Sequence, residues 1–212
     1  GDAAAMTKAA VDAKALDSFK DVKGKEWGRY LDGDGDAIPY RTLPGTHPSK
    51  GAFFTRGTTR DAYARYSERG PDYTYNMERL LRKFGTAAEL VPPPVLRQAS
   101  RPTRFGAIYF GSTSASMHEA LDVLEAEGVF LDALRLRAFP FAEAVREFIA
   151  AHEKVFVVEQ NRDGQMHTLL VNELDLDPAR LVRVLHFDGT PITARFIAGA
   201  IRKNMVWKKE FA

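Results

Sequence analysis

The second half of the chain alternates short apolar runs with segments whose apolar residues recur at helical spacing. The apolar runs are short enough for strands and occupy residues 105–110, 131–138, 155–158 and 182–187. A turn and an amphipathic helical pattern follow each run, and the third helix is predicted over 165–174. Repeated strand–helix units of this kind predict a small doubly wound, mostly parallel α/β sheet.

Two local patterns refine this prediction. In the second apolar run Arg135 and Arg137 alternate with apolar residues, which predicts an edge strand or a partly covered strand. In the helix that follows the first run, Ser116 and Glu119 have the spacing of a capping box, and Gly128 lies where a C-terminal cap is expected.

The first half has a weaker pattern, because it is rich in Gly, Asp, Thr and Arg. We predict a loop-rich wrapping segment over 1–90, with one amphipathic helix near 72–90. That helix has an apolar face on which we expect it to dock, formed by Met77, Leu80, Leu81, Phe84, Ala88 and Val91. Three consecutive prolines predict a linker over 91–104, followed by the α/β domain over 105–204 and a tail over 205–212.

Composition excludes several function classes. Thirty Lys and Arg against 28 Asp and Glu give a net charge of +2, so no basic field argues for nucleic acid. The chain contains no Cys, which removes disulfides, a thiol nucleophile, Cys-ligated zinc and Cys-held iron–sulfur clusters. No apolar run approaches the length of a membrane span, and charges interrupt any signal peptide, so we expect a cytoplasmic protein. Because the chain begins with Gly1, we expect a processed product or a fragment of a longer subunit.

Ligands of open α/β sheets bind beyond the carboxyl ends of the strands, so the loops at those ends hold the candidate site residues. The loop after the third strand is the richest, with Glu159, Asn161, Gly164 and Gln165 as candidates for binding a ligand or an interface. Its glycine and the following helix N-terminus suit a phosphate. The alternative is a polar turn in which Asp163 caps the helix.

Further candidates lie in the loops after the first and fourth strands. Ser112 belongs to a serine-rich loop that suits either a phosphate or a helix cap, and Asp188 belongs to the last of these loops. The acidic stretch from Asp32 to Asp36 is similar to a calcium loop, but Ala37 replaces the required Gly and Leu43 the required Glu. We therefore predict an acidic turn there and no metal site.

Four strings carry a resemblance to a known family: DGDGDAIPYRTLPGTHPSKGAFFTRGTTRDAYARYSE, NMERLLRKFGTA, VVEQNRDGQMHTLL and HFDGTPITARFI. Together they resemble the C-terminal part of the alpha subunit of 2-oxoacid:ferredoxin oxidoreductases, most closely the 2-oxoglutarate type. The resemblance covers residues 30–202 and implies a transketolase C-terminal-like domain. The sequence departs from the family pattern at Ala37, which follows an extra Asp36, and at Thr59 and Arg60, which replace Gly-His.

The resemblance implies a module of a larger catalytic assembly. That assembly uses thiamine diphosphate, Mg²⁺, an iron–sulfur cluster and CoA, and oxidatively decarboxylates a 2-oxoacid to an acyl-CoA. The implied partners are the beta subunit, the upstream alpha-subunit domains and, for the assembly, ferredoxin. We expect this chain to bind none of the cofactors alone, to hold no catalytic residue and to be inactive alone. Its roles are then assembly and CoA contact.

Two questions remain open from the sequence. Arg56 is a candidate for pairing with a carboxylate or phosphate of a neighbouring domain, and an ordinary surface arginine is the alternative. The alternative function is a free-standing domain that binds a phosphate or nucleotide ligand through the loops at 111–116 and 159–165.

Overall fold

The computed structural model describes residues 24–52 and 57–206. The chain divides into two compact units, Gly1–Val91 and Pro92–Ala212, so the division falls at the start of the proline-rich segment. Arg56 and residues 207–212 lie outside the described residues.

In its described residues, 24–52 and 57–91, the first unit consists of loops attached to one helix, α1 (Gly70–Leu90). The loops bind the polar face of α1 through backbone carbonyls. Arg79 Nη1 donates to Ala37 O at 3.2 Å, and Thr86 Oγ1 donates to Asp36 O at 2.7 Å. Asn76 donates to the carbonyl of Arg60. Both Asn76 and Arg79 are buried although they are polar, because the loops cover them.

The predicted apolar face of α1 lies on the other side of the helix. Val91, a predicted member of this face that follows the helix, is buried, whereas Leu81 is 71% exposed, and Tyr73, Met77, Leu80 and Phe84 are exposed as well. At about 100° per residue these five side chains share an arc roughly 100° wide. The helix thus docks its own loops through polar residues and presents its apolar arc outward. The sequence identified the arc but not the polar face that binds the loops.

The second unit is a five-stranded sheet in the order β1-β3-β2-β4-β5. The strands are β1 (Val95–Arg97), β2 (Phe105–Phe110), β3 (Asp132–Leu136), β4 (Lys154–Glu159) and β5 (Leu181–Leu185). Strands β2 to β5 are parallel, and β1 pairs antiparallel with β3. The mostly parallel α/β fold predicted from the sequence is confirmed.

Helices cover both faces of this sheet. They are α2 (Ser114–Ala126), α3 (Glu143–Ala151), α4 (Gln165–Leu174) and α5 (Ala194–Val206). Alternate residues of β2 and β4 point to opposite faces: Ala107 and Phe156 pack with α2 and α5, whereas Ile108 and Val157 pack with α3 and α4. Burial on both faces explains why β4 is a continuous apolar run.

The edge of the sheet differs from the prediction. Strand β1 lies within residues 91–104, which the sequence predicts to be a linker, and it covers the outer side of β3. Strand β3 is therefore not an edge strand, and of the two predicted alternatives the partly covered strand agrees with the intermediate burial of Arg135. A side-chain hydrogen bond also anchors residues 91–104, because Thr103 Oγ1 donates to Phe130 O at 2.7 Å.

The helix boundaries mix confirmed and corrected predictions. Strand β2 and helix α4 have the predicted bounds, and Gly128 follows α2 with the positive φ of 81° expected of a C-terminal cap. The capping box is wrong, since α2 already begins at Ser114 and Ser116 Oγ donates instead to Ile192 O at 2.7 Å. Helix α5 continues to Val206, past the predicted end of the domain. Across residues 24–52 and 57–206, none of the helices combines the length and apolar character required to cross a bilayer.

Candidate functional site

The candidate site residues lie at the carboxyl edge of the parallel strands. The chain passes from β2 to β3 on one side and then to β4 on the other side of β2, so the strand order reverses between β2 and β4. Ligands of doubly wound sheets bind at this reversal point. The loops after β2 and β4 therefore border the expected ligand position.

Glu159, the last residue of β4, has a completely buried side chain. Its Oε2 accepts from Met166 N at 2.8 Å and from Asn161 Nδ2 at 2.6 Å, and its Oε1 accepts from His167 N at 3.1 Å. Met166 and His167 are in the first turn of α4, where backbone N–H groups have no partner within the helix. The carboxylate of Glu159 supplies that partner.

Asn161 completes the same turn. Its Oδ1 accepts from Gly164 N at 2.8 Å and from Gln165 N at 3.2 Å. The predicted alternative, in which Asp163 caps the helix, is wrong in its residue, because Asn161 accepts these bonds and Asp163 accepts from Arg162 Nε at 2.7 Å. The four N–H groups from position 164 to 167 are all bonded to side chains of this loop and strand.

Gly164 is required by the backbone conformation and by a close neighbour. Its φ of 65° lies in the left-handed region, and a Cβ atom there would be 3.2 Å from Arg183 Nε. The glycine therefore permits the left-handed backbone of the turn and leaves room for the Arg183 side chain.

Gln160 connects the loops after β2, β4 and β5. Its Nε2 donates to Ser112 Oγ and Thr113 Oγ1, both at 3.1 Å, and its Oε1 accepts from Ile192 N at 3.3 Å. The side chain thus spans the reversal point between β2 and β4. Sequence reasoning missed Gln160 as a candidate. The available signal was its position directly after Glu159, which places it on the opposite face of the sheet.

His167, whose backbone N–H donates to Glu159 Oε1, has a buried side chain that is 5% exposed. Burial lowers the pKa of His167 below its ordinary value, and the Arg183 guanidinium lowers this pKa further, against the opposing charge of Glu159. The imidazole is therefore neutral at pH 7. Its Nδ1 is buried and has no hydrogen-bond partner.

Asp188 is held within its own turn after β5. Its Oδ1 accepts from Thr190 Oγ1 at 2.7 Å and from Thr190 N at 2.9 Å, and it lies 3.4 Å from His186 Nε2. The hydroxyl of Thr190 contributes most to holding the pKa of Asp188 below its usual range. The carboxylate remains 64% exposed.

The acidic turn of the first unit is also satisfied locally. Asp32 Oδ1 accepts from Gly35 N at 2.9 Å, Asp36 Oδ1 accepts from Ile38 N at 2.9 Å, and Asp34 Oδ2 accepts from Tyr40 Oη at 2.8 Å. In the described part of the chain no three His, Asp or Glu side chains are grouped so that they could hold a metal ion.

The structure brings together Glu159, Asn161, Gly164 and Gln165, and Gln160 links this group to Ser112. Asp188 belongs to the neighbouring loop but has its own contacts. Chemically the group is a hydrogen-bonding scaffold whose buried polar atoms mostly satisfy one another. The first turn of α4 offers no open N–H group to a phosphate. This removes the support from the loop at 159–165, one of the two loops on which the nucleotide-binding alternative rests.

Comparisons with known proteins identify a similar sequence and similar folds. No family model matches the chain. Over 127 residues, 58% of its length, the chain is 31% identical to 2-oxoacid:ferredoxin oxidoreductase 2, subunit alpha, from Aeropyrum pernix, and it spans 19% of that subunit. Its fold matches the 2-oxoglutarate:ferredoxin oxidoreductase of Magnetococcus marinus with a TM-score of 0.71 and 21% identity. That match covers 87% of this chain and 32% of the other, whose structure has 2-oxoglutarate, coenzyme A and succinyl-CoA bound.

A split-gene transketolase, described as an inactive beta4 tetramer, has a TM-score of 0.45 and 20% identity over 53% of this chain and 42% of its own. The chain is thus similar in sequence to part of one 2-oxoacid:ferredoxin oxidoreductase alpha subunit, and it spans about a fifth of the length of that curated relative.

Proposed function

We propose that the chain is a module of the alpha subunit of a thiamine diphosphate-dependent 2-oxoacid:ferredoxin oxidoreductase, with 2-oxoglutarate as the substrate. The assembly would oxidatively decarboxylate the 2-oxoacid to an acyl-CoA and pass the electrons to ferredoxin. One observation carries the proposal, the 31% identity over 127 residues with an alpha subunit of that description. The Magnetococcus enzyme supports the choice of 2-oxoglutarate.

The residues of this chain do not fit the metal cofactors of such an assembly. The sequence has no Cys to ligate an iron–sulfur cluster, and the described residues group no three carboxylate or imidazole side chains for Mg²⁺. In this proposal thiamine diphosphate, Mg²⁺ and the cluster belong to other parts of a cytoplasmic assembly. CoA is the one ligand for which we propose a contact with this chain, through the exposed side chain of Gln165.

The apolar arc of α1 is the proposed assembly surface. Met77, Leu80 and Leu81 are exposed on it, and apolar side chains that share one helix face usually mark an interaction site. We assign this surface to the remaining domains of the alpha subunit, because the chain spans only 19% of the curated relative and 32% of the solved one. The beta subunit completes the proposed assembly.

Calorimetric titration of the chain with CoA tests the ligand contact. We expect saturable binding that is lost in Gln165→Ala, with thiamine diphosphate plus Mg²⁺ as a silent control. If CoA and thiamine diphosphate are both silent, the CoA contact is wrong and assembly remains as the proposed role. Binding of thiamine diphosphate by the chain alone would contradict the division of labour proposed above.

Co-expression with the remaining alpha-subunit domains and the beta subunit tests the assembly surface. We expect Leu81→Lys to weaken co-purification about tenfold or more, because a charge cannot be buried in an apolar interface without a partner. Glu89→Gln is the matched control, since it changes the net charge equally from outside the arc. Unchanged co-purification of Leu81→Lys, or a dimer of the chain that Leu81→Lys dissociates, would refute the assignment to the alpha subunit.

A further inference from the structure

Glu159 occupies the position that an anionic ligand takes at a helix N-terminus. Two successive N–H groups of α4, those of Met166 and His167, donate to the two different oxygens of its carboxylate. Helix N-termini bind phosphate, sulfate or carboxylate ligands through such N–H groups and through the helix dipole. Here the anion is a side chain of the protein, and none of its surface is exposed.

Two further observations describe the surroundings of this carboxylate. The buried Nδ1 of His167 has no partner, and the Arg183 guanidinium lies beside Gly164, in the same turn. If the carboxylate were removed, three N–H donors would lose their acceptor, namely Met166 N, His167 N and Asn161 Nδ2. A small carboxylate suits these donors, because its two oxygens can accept from them as the oxygens of Glu159 do.

We propose that Glu159 is an internal ligand that closes the anion site at the N-terminus of α4. Its neighbour Gln160 spans the crevice between β2 and β4, so the last residue of β4 and the residue after it together fill the edge at which doubly wound sheets bind ligands. The edge is thus closed to phosphoryl groups and nucleotides. A ligand of this domain contacts exposed side chains above the closed turn.

The proposal rests on the geometry of α4 and not on the proposed function. Its tests use the isolated chain without CoA or partner subunits, so its failure can be distinguished from a failure of the assembly proposal.

Chemical rescue of Glu159→Ala is the first test. We expect this variant to have a lower Tm than the wild type, and formate to raise its Tm saturably beyond the effect of chloride at equal ionic strength. The wild type should respond to formate and chloride alike, because its site is filled. Asp163→Ala is the matched control: it removes an exposed carboxylate from the same loop, and we expect neither destabilisation nor rescue.

Amide hydrogen exchange of Glu159→Gln decides the question if Glu159→Ala does not fold. The amide keeps the volume of the side chain but loses the negative charge. We expect exchange at Met166 and His167 to accelerate about tenfold or more, the size expected for losing charge-assisted hydrogen bonds. Unchanged exchange, a Glu159→Ala variant as stable as the wild type, or inorganic phosphate that perturbs these two amides in the wild type would overturn the proposal.

Discussion

Adding one methyl group at Gly106 in β2 tests how tightly the side chains pack against the sheet. A Cβ atom at Gly106 would lie 2.9 Å from two ring atoms of Phe148 and 3.2 Å from His152 Cγ. Distances of this size are shorter than van der Waals contact, so Gly106→Ala requires the Phe148 ring to move. Helix α3, which carries Phe148, covers β2 at this point.

The ring cannot move freely. It packs against His152 with ring centroids 4.4 Å apart, and His152 Nδ1 donates to Phe148 O at 2.6 Å. The second nitrogen of His152 lies 3.1 Å from Asp132 Oδ2, which ties the pair to β3. Overpacking costs about 1 to 3 kcal/mol, and the loss of glycine entropy in the unfolded chain offsets up to about 1 kcal/mol. Because the ring is held in place, the cost should lie in the upper part of that range, about 2 to 3 kcal/mol, and an offset of about 1 kcal/mol leaves a net loss of about 1 to 2 kcal/mol.

Urea unfolding followed by circular dichroism measures this loss, with Gly199→Ala as the matched control. A Cβ at Gly199 in α5 meets no atom within 4 Å, so the same substitution there should stabilise the protein by up to about 1 kcal/mol. Phe148→Leu shortens the obstructing side chain, and we expect a favourable coupling of about 1 kcal/mol with Gly106→Ala. Additive effects of the two changes, or a Gly106→Ala variant as stable as the wild type, would refute the reasoning.

Two further predictions concern the edge of the sheet. Because burial and Arg183 lower the pKa of His167 below 6.5, the unfolded chain binds its proton first as the pH falls. The free energy of unfolding should therefore decrease below about pH 6.5, and urea titrations should show a shallower decrease for His167→Leu; an equal decrease in both proteins would contradict this. Gln160→Ala removes three hydrogen bonds at an exposed position, so we expect a loss of about 1 to 2 kcal/mol and faster exchange of the Ile192 amide. Gln165→Ala is the control, because the side chain of Gln165 is also exposed. Equal stability of the Gln160→Ala and Gln165→Ala variants would argue against the bridging role of Gln160.

The sequence predicts the parts of the fold that depend on local periodicity. Strand β2 and helix α4 have the predicted bounds because each combines an unbroken apolar pattern with a glycine or a turn at its end. Strand β1 could not be predicted, since it has three residues, follows three prolines and is defined by pairing with β3. The capping box at Ser116 failed for a similar reason, because the partner of its hydroxyl is Ile192, which is distant in the sequence.

The candidate site shows the same limit in its chemistry. Glu159 is a candidate ligand residue in the sequence because it lies at a strand end. The direction of its carboxylate, however, depends on which face of β4 carries its side chain. Residues Val155 to Val158 are all buried, so no polar alternation in the sequence reveals that direction. The apolar arc of α1 shows a different limit. Periodicity identifies its apolar residues, but it does not predict whether another element packs on them.

The carboxyl edge that Glu159 and Gln160 close limits where CoA could bind on this domain. If Glu159 fills the helix N-terminus and Gln160 spans the crevice, CoA cannot place a phosphate against the N–H groups of α4. Binding of CoA that is lost in Gln165→Ala, together with formate rescue of Glu159→Ala, would therefore mean that CoA lies over the turn and contacts exposed side chains. Silence of CoA together with formate rescue would mean that the carboxyl edge is structural in the isolated chain, and that the apolar arc of α1 carries its proposed role in assembly.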